Sequence, residues 1–306
     1  FIQALAKINP ILAARCLCEE KVNVSIELRQ AIIDALLDLL TQPEIALRVR
    51  IAAGRVLGRL GDPRIGKMVE VTGGSFIMGT HKISLPVYKI GKYSVTNAEY
   101  TEFIQAGGYQ NKRWWTEAGW QQKQQEGWKE PSKWQDSWFN HPNQPVVGVS
   151  WYECVAYCRW LSTKKGQLYR LPTEAEWEKG SRGTDGRKYP WGNAFEASRL
   201  NADAGKQTVE STTPIGIYPT GVSPNNLYDC TGNVWEWCAT KFGKAYPFDV
   251  TENKWSEDYL EQPGHRVPRG GSWNHPRDGV NCTIRLPFPP EGRLKFTGFR
   301  LVSPLQ

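Results

Sequence analysis

The segments Arg269-Gly270-Gly271-Ser272-Trp273 and Gly298-Phe299-Arg300-Leu301-Val302 are the most informative part of this chain. Both have the composition of rigid strand ends. Between them, residues 274–297 contain four prolines and two glycines, which remove any helical or two-residue apolar period. An irregular segment held between two specified anchors often presents a binding surface on loops. We therefore predict that residues 274–297 form a ligand-binding segment.

The composition of the 306 residues indicates a globular protein with an aromatic core, since there are 14 tryptophans and only two methionines. Seven cysteines show no spacing of a disulfide framework, which favours reduced thiols in a cytoplasmic protein. The net charge of +7 comes from dispersed basic residues, so nucleic-acid binding is not expected. No apolar run is long enough to span a membrane.

Residues 1–66 have helical periodicity. One apolar series includes Ile32 and Leu36, a second includes Val49 and Val56, and Gly61-Asp62-Pro63 ends the second helix. Two amphipathic helices on a short turn are typical of a HEAT-type repeat, and a single repeat needs stacked neighbours. We therefore expect a fragment of a longer protein with an amino-terminal effector or signalling domain. The alternative is an isolated helical hairpin packed on the following domain.

Residues 67–306 form the second predicted domain, and its sequence pattern is different. Short strands are predicted at 73–79 and 87–90, and helices at 97–106 and 151–164. After about residue 170 the pattern predicts a chain that is nearly all loop and short strand. The fold class is therefore α+β with little regular secondary structure, and tryptophans must supply much of the packing.

Motifs in this second part resemble the formylglycine-generating enzyme superfamily, whose fold is an elaborated C-type lectin fold. Eight motifs occur in order: Gly-Gly-Ser-Phe-Ile-Met-Gly (73–79), Val-Thr-Asn-Ala-Glu-Tyr (95–100), Pro-Val-Val-Gly-Val-Ser-Trp (145–151), Leu-Pro-Thr-Glu-Ala-Glu-Trp-Glu (171–178), Tyr-Pro-Trp-Gly-Asn (189–193), Gly-Asn-Val-Trp-Glu-Trp (232–237), Arg-Gly-Gly-Ser-Trp (269–273) and Gly-Phe-Arg (298–300). The resemblance covers about 68–303 and implies the same fold here.

The resemblance also implies two metal chemistries to test. The oxidases of the superfamily bind copper through two cysteines that follow the Arg-Gly-Gly-Ser element, and these places fall near His275 and Val280. The related sulfoxide synthases use a three-histidine iron site on a separate helical domain, whereas residues 1–66 contain no histidine. On these grounds we predict that the chain is not an enzyme and requires no cofactor.

A second resemblance concerns the segment from Arg269 to Arg300. With Arg285, Pro290 and Arg293 in between, it is similar to the variable region of bacterial diversity-generating retroelement proteins. This resemblance predicts a non-catalytic protein that displays a variable surface to a variable ligand, expected to be another protein. The predicted contact residues are Asn274, His275, Asp278, Val280, Asn281, Thr283, Ile284, Leu286, Phe288, Leu294 and Phe296.

Three further hypotheses remain open from the sequence. Asn233 and Glu236 lie in an element that gives the oxidases calcium ligands, and oxygen donors suit calcium. The alternative is that Glu236 is a structural hydrogen-bond acceptor. For the function, the alternatives are a divergent formylglycine-generating or related oxidoreductase with an unrecognised site, and a protein–protein adaptor that acts through the helical repeats.

Overall fold

The computed structural model describes residues 1–19, 22–203, 209–243 and 252–305. Its first part consists of four helices, which pack around fully buried Ile32, Leu36, Ala53 and Leu57. Their bounds are α1 (Ile2–Ile8), α2 (Pro10–Glu19), α3 (Ile26–Thr41) and α4 (Leu47–Leu60). The two segments with helical periodicity that the sequence shows within residues 1–66 correspond to α3 and α4. None of the helices in the described ranges is both long and apolar enough to cross a lipid bilayer.

Helix α4 packs directly on the second part of the chain through Asn143. The Asn143 side-chain amide donates to the carbonyl oxygen of Gly54 at 2.8 Å and to the carboxylate of Asp62 at 2.9 Å. A Cβ atom on Gly58 would lie 2.5 Å from Asn143 Oδ1, so only glycine allows this approach. Asp62 also pairs with Arg64 at 2.7 Å. The helices and the second part therefore share a specific, buried junction.

The second part contains three small sheets. The strands are β1 (Met68–Val71), β2 (Gly74–Met78), β3 (His81–Leu85), β4 (Tyr88–Gly91), β5 (Trp235–Lys241), β6 (Arg266–Arg269), β7 (Thr297–Phe299) and β8 (Val302–Pro304). Antiparallel sheets have the orders β1-β4-β8 and β2-β3. In the third sheet, β5 is central, with β6 antiparallel and β7 parallel to it. The two anchor segments therefore flank the same central strand, β5.

Five further helices complete the described fold: α5 (Asn97–Gln105), α6 (Glu117–Gln125), α7 (Trp151–Lys165), α8 (Glu174–Arg182) and α9 (Glu257–Leu260). Each of α5, α7 and α8 begins with a capping box, in which a Ser or Thr and a Glu three residues later satisfy the first backbone N–H groups. The prediction of little but loop and short strand after residue 170 misses α8 and the short α9. Most residues of α8 are polar or charged although all of them are buried, so the helix lacks the wide apolar stripe that marks a helix in a sequence.

Tryptophan rings fill the core as the composition predicts. Trp151, Trp177, Trp235 and Trp237 are fully buried. The indole N–H of Trp151 donates to the carbonyl of Cys238 at 3.0 Å, and that of Trp237 to the carbonyl of Val149 at 3.1 Å. These bonds satisfy the polar atom of each large ring. The predicted α+β lectin-type fold is confirmed.

Asp229 is a buried acid on the loop that contacts the junction. Its carboxylate accepts a hydrogen bond from the Gly216 N–H at 2.7 Å, and its backbone is left-handed with a φ of 57°. Burial raises the pKa of Asp229 from 3.8 to about 6, although Arg300 and Arg64 oppose the shift. The folded state therefore favours the protonated acid, and this contribution to stability is lost as the pH rises through about 6.

We expect Asp229→Asn to increase the free energy of unfolding by roughly 1–3 kcal/mol at pH 8, and by little at pH 4. Asparagine can accept the same backbone hydrogen bond and tolerates the left-handed conformation. Urea unfolding at both pH values measures the difference. Asp185 is the control, because Arg187 lowers its pKa to about 2. Asp185→Asn should give no stabilisation at pH 8, and equal gains from both variants would contradict the assignment.

Candidate functional site

Buried ion pairs fix the two anchors of the 274–297 segment. The guanidinium of Arg269 pairs with the carboxylates of Glu174 and Glu178 on α8, and it donates to the carbonyl of Cys282 at 2.7 Å. Arg285, inside the segment, also pairs with Glu174 at 2.7 Å. The 274–297 segment therefore starts from a fixed position at Arg269, and the Arg285–Glu174 ion pair holds it in place a second time.

The second anchor, Arg300, forms a bidentate pair with Glu236, with both N–O distances at 2.8 Å. The same carboxylate accepts from the Trp177 indole at 2.6 Å and from the Ser94 hydroxyl at 2.7 Å. These four donors occupy all the lone pairs that a carboxylate offers. Glu236 is thus a structural acceptor that joins β5 to β7.

Asn233, the other predicted calcium ligand, lies in a separate side-chain network. Its Oδ1 atom accepts from the Thr213 N–H at 2.9 Å and from the Asn201 amide at 3.2 Å. The side-chain partners of Asn233 and Glu236 have no residue in common. The two predicted calcium ligands therefore take part in separate hydrogen-bond networks, and calcium binding stays a prediction.

The described residues also do not fit the copper or iron sites of the superfamily. No group of three or more His, Cys, Asp or Glu side chains in the described ranges could hold a metal ion. Cys282, the cysteine nearest in sequence to the expected copper positions, is fully buried, and burial raises the pKa of its thiol well above 9.0. Such a thiol stays protonated and is a poor metal ligand.

Two of the eleven predicted contact residues are core residues, which corrects that part of the prediction. Val280 is fully buried beside Leu200 and Ala202. Asn281 is buried, and its Oδ1 accepts from the N–H groups of Thr283 and Ile284 at 2.9 Å. Neither side chain is available to a ligand. Because the segment has no apolar period, the sequence did not distinguish them from their exposed neighbours.

The other predicted contact residues reach the surface to different extents. Asp278, Thr283 and Leu294 are exposed. The half-buried residues are Asn274, His275, Ile284, Leu286, Phe288 and Phe296. The structure thus divides the segment into a buried turn around Val280 and accessible positions on both sides of it.

His275 has the most specific surroundings of the accessible residues. Its Nδ1 atom lies 2.7 Å from Ser272 Oγ and 3.0 Å from Asn274 Oδ1, and the Ser272 hydroxyl donates to Asn274 at 2.8 Å. This pattern assigns the imidazole proton to Nδ1. The Trp235 indole N–H lies 3.3 Å from Nδ1 and 3.4 Å from Nε2. With the proton on Nδ1, Nε2 has the lone pair and is the ring atom that can accept this N–H.

Aromatic rings enclose this imidazole. The His275 ring packs edge-on against Trp235 at 5.3 Å and against Phe296 at 5.5 Å between centroids. The Phe288 ring also packs against the Trp235 ring, with 5.9 Å between their centroids. We call the set Trp235, Ser272, Asn274, His275 and Phe296 the His275 site. It combines one polar, oriented imidazole with apolar walls, which is the usual composition of a small-molecule site.

The electrostatics of the His275 site favour a neutral imidazole. Burial lowers the pKa of His275 below 6.5, so the ring is uncharged near pH 7. A neutral ring with its proton on Nδ1 can accept a proton or a hydrogen bond at Nε2. The sequence predicted His275 as a contact but gave no indication that Ser272 and Trp235 lie beside it. Their proximity depends on the pairing of β5 with β6, which spacing along the chain does not reveal.

Comparison with known families gives the class of protein. Residues 56–305 match the sequence model of the sulfatase-modifying factor enzyme 1-like domain. This match includes most of the chain, and the protein belongs to that family. The predicted superfamily is therefore confirmed, although the matched region already begins within α4.

Individual relatives narrow the comparison. Hercynine oxygenase of Mycolicibacterium thermoresistibile is 34% identical over 238 residues, which are 72% of this chain and 52% of that protein. This chain thus spans about half the length of that relative. PvdO from Pseudomonas aeruginosa has a TM-score of 0.61 and 24% identity over 79% of this chain and 96% of PvdO. Variable protein 1 of Treponema denticola has a TM-score of 0.55 and 23% identity over 78% of this chain and 95% of its own. The last two likenesses show the fold alone.

The relation to an oxygenase contradicts our prediction of a non-catalytic display protein and of a chain that is not an enzyme. The absence of cysteines near His275 and Val280 argues against the copper site of the oxidases. It does not argue against catalysis in general, which the prediction of a non-enzyme had assumed. The likeness to a variable protein shows a shared fold and does not carry a shared function.

Proposed function

We propose that this chain is an oxidoreductase of the oxygenase type, with molecular oxygen as the oxidant, and that its substrate binds at the His275 site. One observation carries the proposal. An accessible, neutral and oriented imidazole lies between aromatic rings, near the place that the oxidases of the superfamily give to the first of their two cysteines. The 34% identity to a hercynine oxygenase supports the reaction class.

The walls of the site favour a small cationic substrate. Hercynine, which the relative's name identifies as its substrate, is a betaine with a trimethylammonium group. Quaternary ammonium groups bind against the faces of Trp and Phe rings. The half-buried rings of Phe288 and Phe296 provide such faces beside Trp235 and His275. A betaine or a related small cation therefore fits the chemistry of this surface.

Within the proposal, His275 accepts a hydrogen bond or a proton from the substrate through Nε2, in place of the long hydrogen bond from the Trp235 indole. Ser272 and Asn274 hold Nδ1 and so fix the orientation of the ring. Oxygen activation needs a redox metal or cofactor. Because the described residues provide no ligand group for a metal ion, the ligands would come from outside them, and we assign no step to a metal.

The free thiols support the cellular location that we propose. All seven cysteines are free, and five of them are buried. Burial raises the pKa of Cys154, Cys158 and Cys238, so these thiols resist oxidation. A chain that keeps its cysteines reduced fits the cytoplasm.

The proposal is tested in two steps with the full chain. Calorimetry measures hercynine binding without added metal, and an oxygen electrode then measures oxygen uptake with hercynine and a thiol, or with a cysteine-containing peptide. Ferrous or cuprous ions are supplied, and a protein-free mixture is the control. We expect binding, and oxygen uptake above the control with at least one substrate. Neither binding nor uptake under any of these conditions would refute the oxygenase assignment.

A further inference from the structure

A separate cavity of about 270 Å³ lies where the helical segment joins the second part of the chain. Its lining comes from the link after α4, the loop after β4, and helices α5 and α7. None of these elements belongs to the His275 site. We call it the junction cavity, and the residues that matter here are Lys67, Tyr93, Glu99, Tyr157, Leu161 and Lys165.

Two acids line this cavity: Glu102 is exposed and pairs with Lys164 at 2.7 Å, whereas Glu99 differs from the enclosed acids of the protein. Asp62, Glu153, Glu174, Glu176, Glu178 and Glu236 are buried, and each forms a salt bridge with an arginine. Asp229, also buried, accepts a backbone N–H instead. Half-buried Glu99 has no salt bridge among the described residues, although it lines a cavity.

The two oxygens of Glu99 have different roles. Oε2 completes the capping box of α5, since it accepts from the Thr96 N–H and hydroxyl, both at 2.8 Å. Oε1 has no hydrogen-bond partner among the described residues, and it lies toward the link, 3.7 Å from where a Cβ on Gly66 would be. Burial raises the pKa of Glu99, and that of Tyr157 is raised by burial and by the charge of Glu99. The carboxylate therefore lacks a nearby cation.

We propose that the junction cavity binds a small alkylammonium ligand whose nitrogen pairs with Glu99. An ammonium group at Oε1 forms the charge-assisted bond that the protein itself does not supply. The volume corresponds to about nine water molecules at ~30 Å³ each, which suits a ligand with a short tail. Leu161, Val95 and the edge of the cavity formed by Tyr157 offer apolar contacts to that tail.

The ligand could be a simple amine or an amino acid, since both have an ammonium group and an apolar tail. Lys67 and Lys165 are exposed residues of the lining, and an amino acid could place its carboxylate near them. The experiment therefore compares 3-methylbutylamine, leucine and 3-methylbutanoate. These compounds have similar tails, and they carry an ammonium group, both charges and a carboxylate alone.

Calorimetry measures the binding of each compound to the wild-type chain and to two variants of it. The variant Glu99→Gln keeps the capping box, because glutamine also serves at this position. The control is Glu117→Gln on α6, where an exposed acid pairs with Lys112 at 2.9 Å and does not line the cavity. We expect the amine and leucine to bind the wild type and Glu117→Gln, and Glu99→Gln to weaken binding roughly tenfold or more. The tighter of the two ligands identifies the source of the ammonium group.

A second variant covers the case in which Glu99→Gln does not fold. Gly66 has a φ of 73°, which asparagine tolerates, and Gly66→Asn adds a side chain next to Glu99 Oε1. It should block the ammonium ligands while Glu99 stays unchanged. The proposal is overturned if 3-methylbutanoate binds as tightly as the amine, or if a folded Glu99→Gln or Gly66→Asn protein binds the amine like the wild type. No binding to the wild type with a Kd below about 1 mM also overturns it.

Discussion

Glu236→Ala is expected to lower the free energy of unfolding by roughly 3–5 kcal/mol. The substitution leaves the guanidinium of Arg300 buried without its counter-ion, and this guanidinium is fully buried in the structure. It also removes the acceptor of the Trp177 indole N–H and of the Ser94 hydroxyl. Each buried donor without a partner adds a desolvation cost. Urea unfolding followed by far-ultraviolet circular dichroism measures the loss.

The control is a surface ion pair. Its N–O distance is similar to that of the Glu236–Arg300 pair, but its side chains are exposed to solvent. Lys112 Nζ lies 2.9 Å from Glu117 Oε2, and both side chains are more than half exposed. Lys112→Gln should therefore change the free energy of unfolding by no more than about 0.5 kcal/mol. Comparable losses in the two variants would show that burial does not strengthen the Glu236 pair as we infer.

Gly271→Ala should cost roughly 2–4 kcal/mol and should disturb the 274–297 segment directly. Gly271 has a φ of 80°, which strains an L-residue with a Cβ atom. That Cβ would also lie 2.5 Å from the carbonyl oxygen of Gly279 and from a side-chain methyl of Val280. The buried turn that begins the segment must then move away from β6.

Thermal unfolding and the fluorescence of the tryptophans measure this effect. Gly243→Ala is a suitable control, because a Cβ there meets no atom within 4 Å among the described residues. It should melt like the wild type. A Gly271→Ala protein that also melts like the wild type would show that the segment adapts without cost.

The sequence predicted the fold well where local chemistry determines the backbone. The predicted helices at 97–106 and 151–164 correspond to α5 and α7, and capping boxes at Thr96 and Ser150 begin them. The sequence missed α8, because most of its buried residues are polar or charged and their ion-pair partners are distant along the chain. The Glu236–Arg300 pair joins residues 64 positions apart, a distance that sequence spacing cannot bridge.

The candidate site could be predicted only in part. The anchors bracket the segment that contains His275, which was among the predicted contacts. The burial of Val280 and Asn281 depends on tertiary contacts with Leu200 and Ala202 and on a local turn. The sequence contains no sign of the junction cavity, because its lining comes from five separate stretches between residues 65 and 301. The HEAT assignment of residues 1–66 and the amino-terminal effector domain remain predictions.

The most direct measurement of the central claim is the ratio kcat/KM for His275→Ala relative to the wild type, in the oxygen-uptake assay. Removing a catalytic base or hydrogen-bond acceptor should lower kcat/KM by roughly 100-fold or more, while Tm changes little. Asp278→Ala is the matched control, because Asp278 is exposed in the same segment. It should keep the wild-type kcat/KM. A His275→Ala protein that turns over substrate as efficiently as the wild type would contradict the assignment of the His275 site.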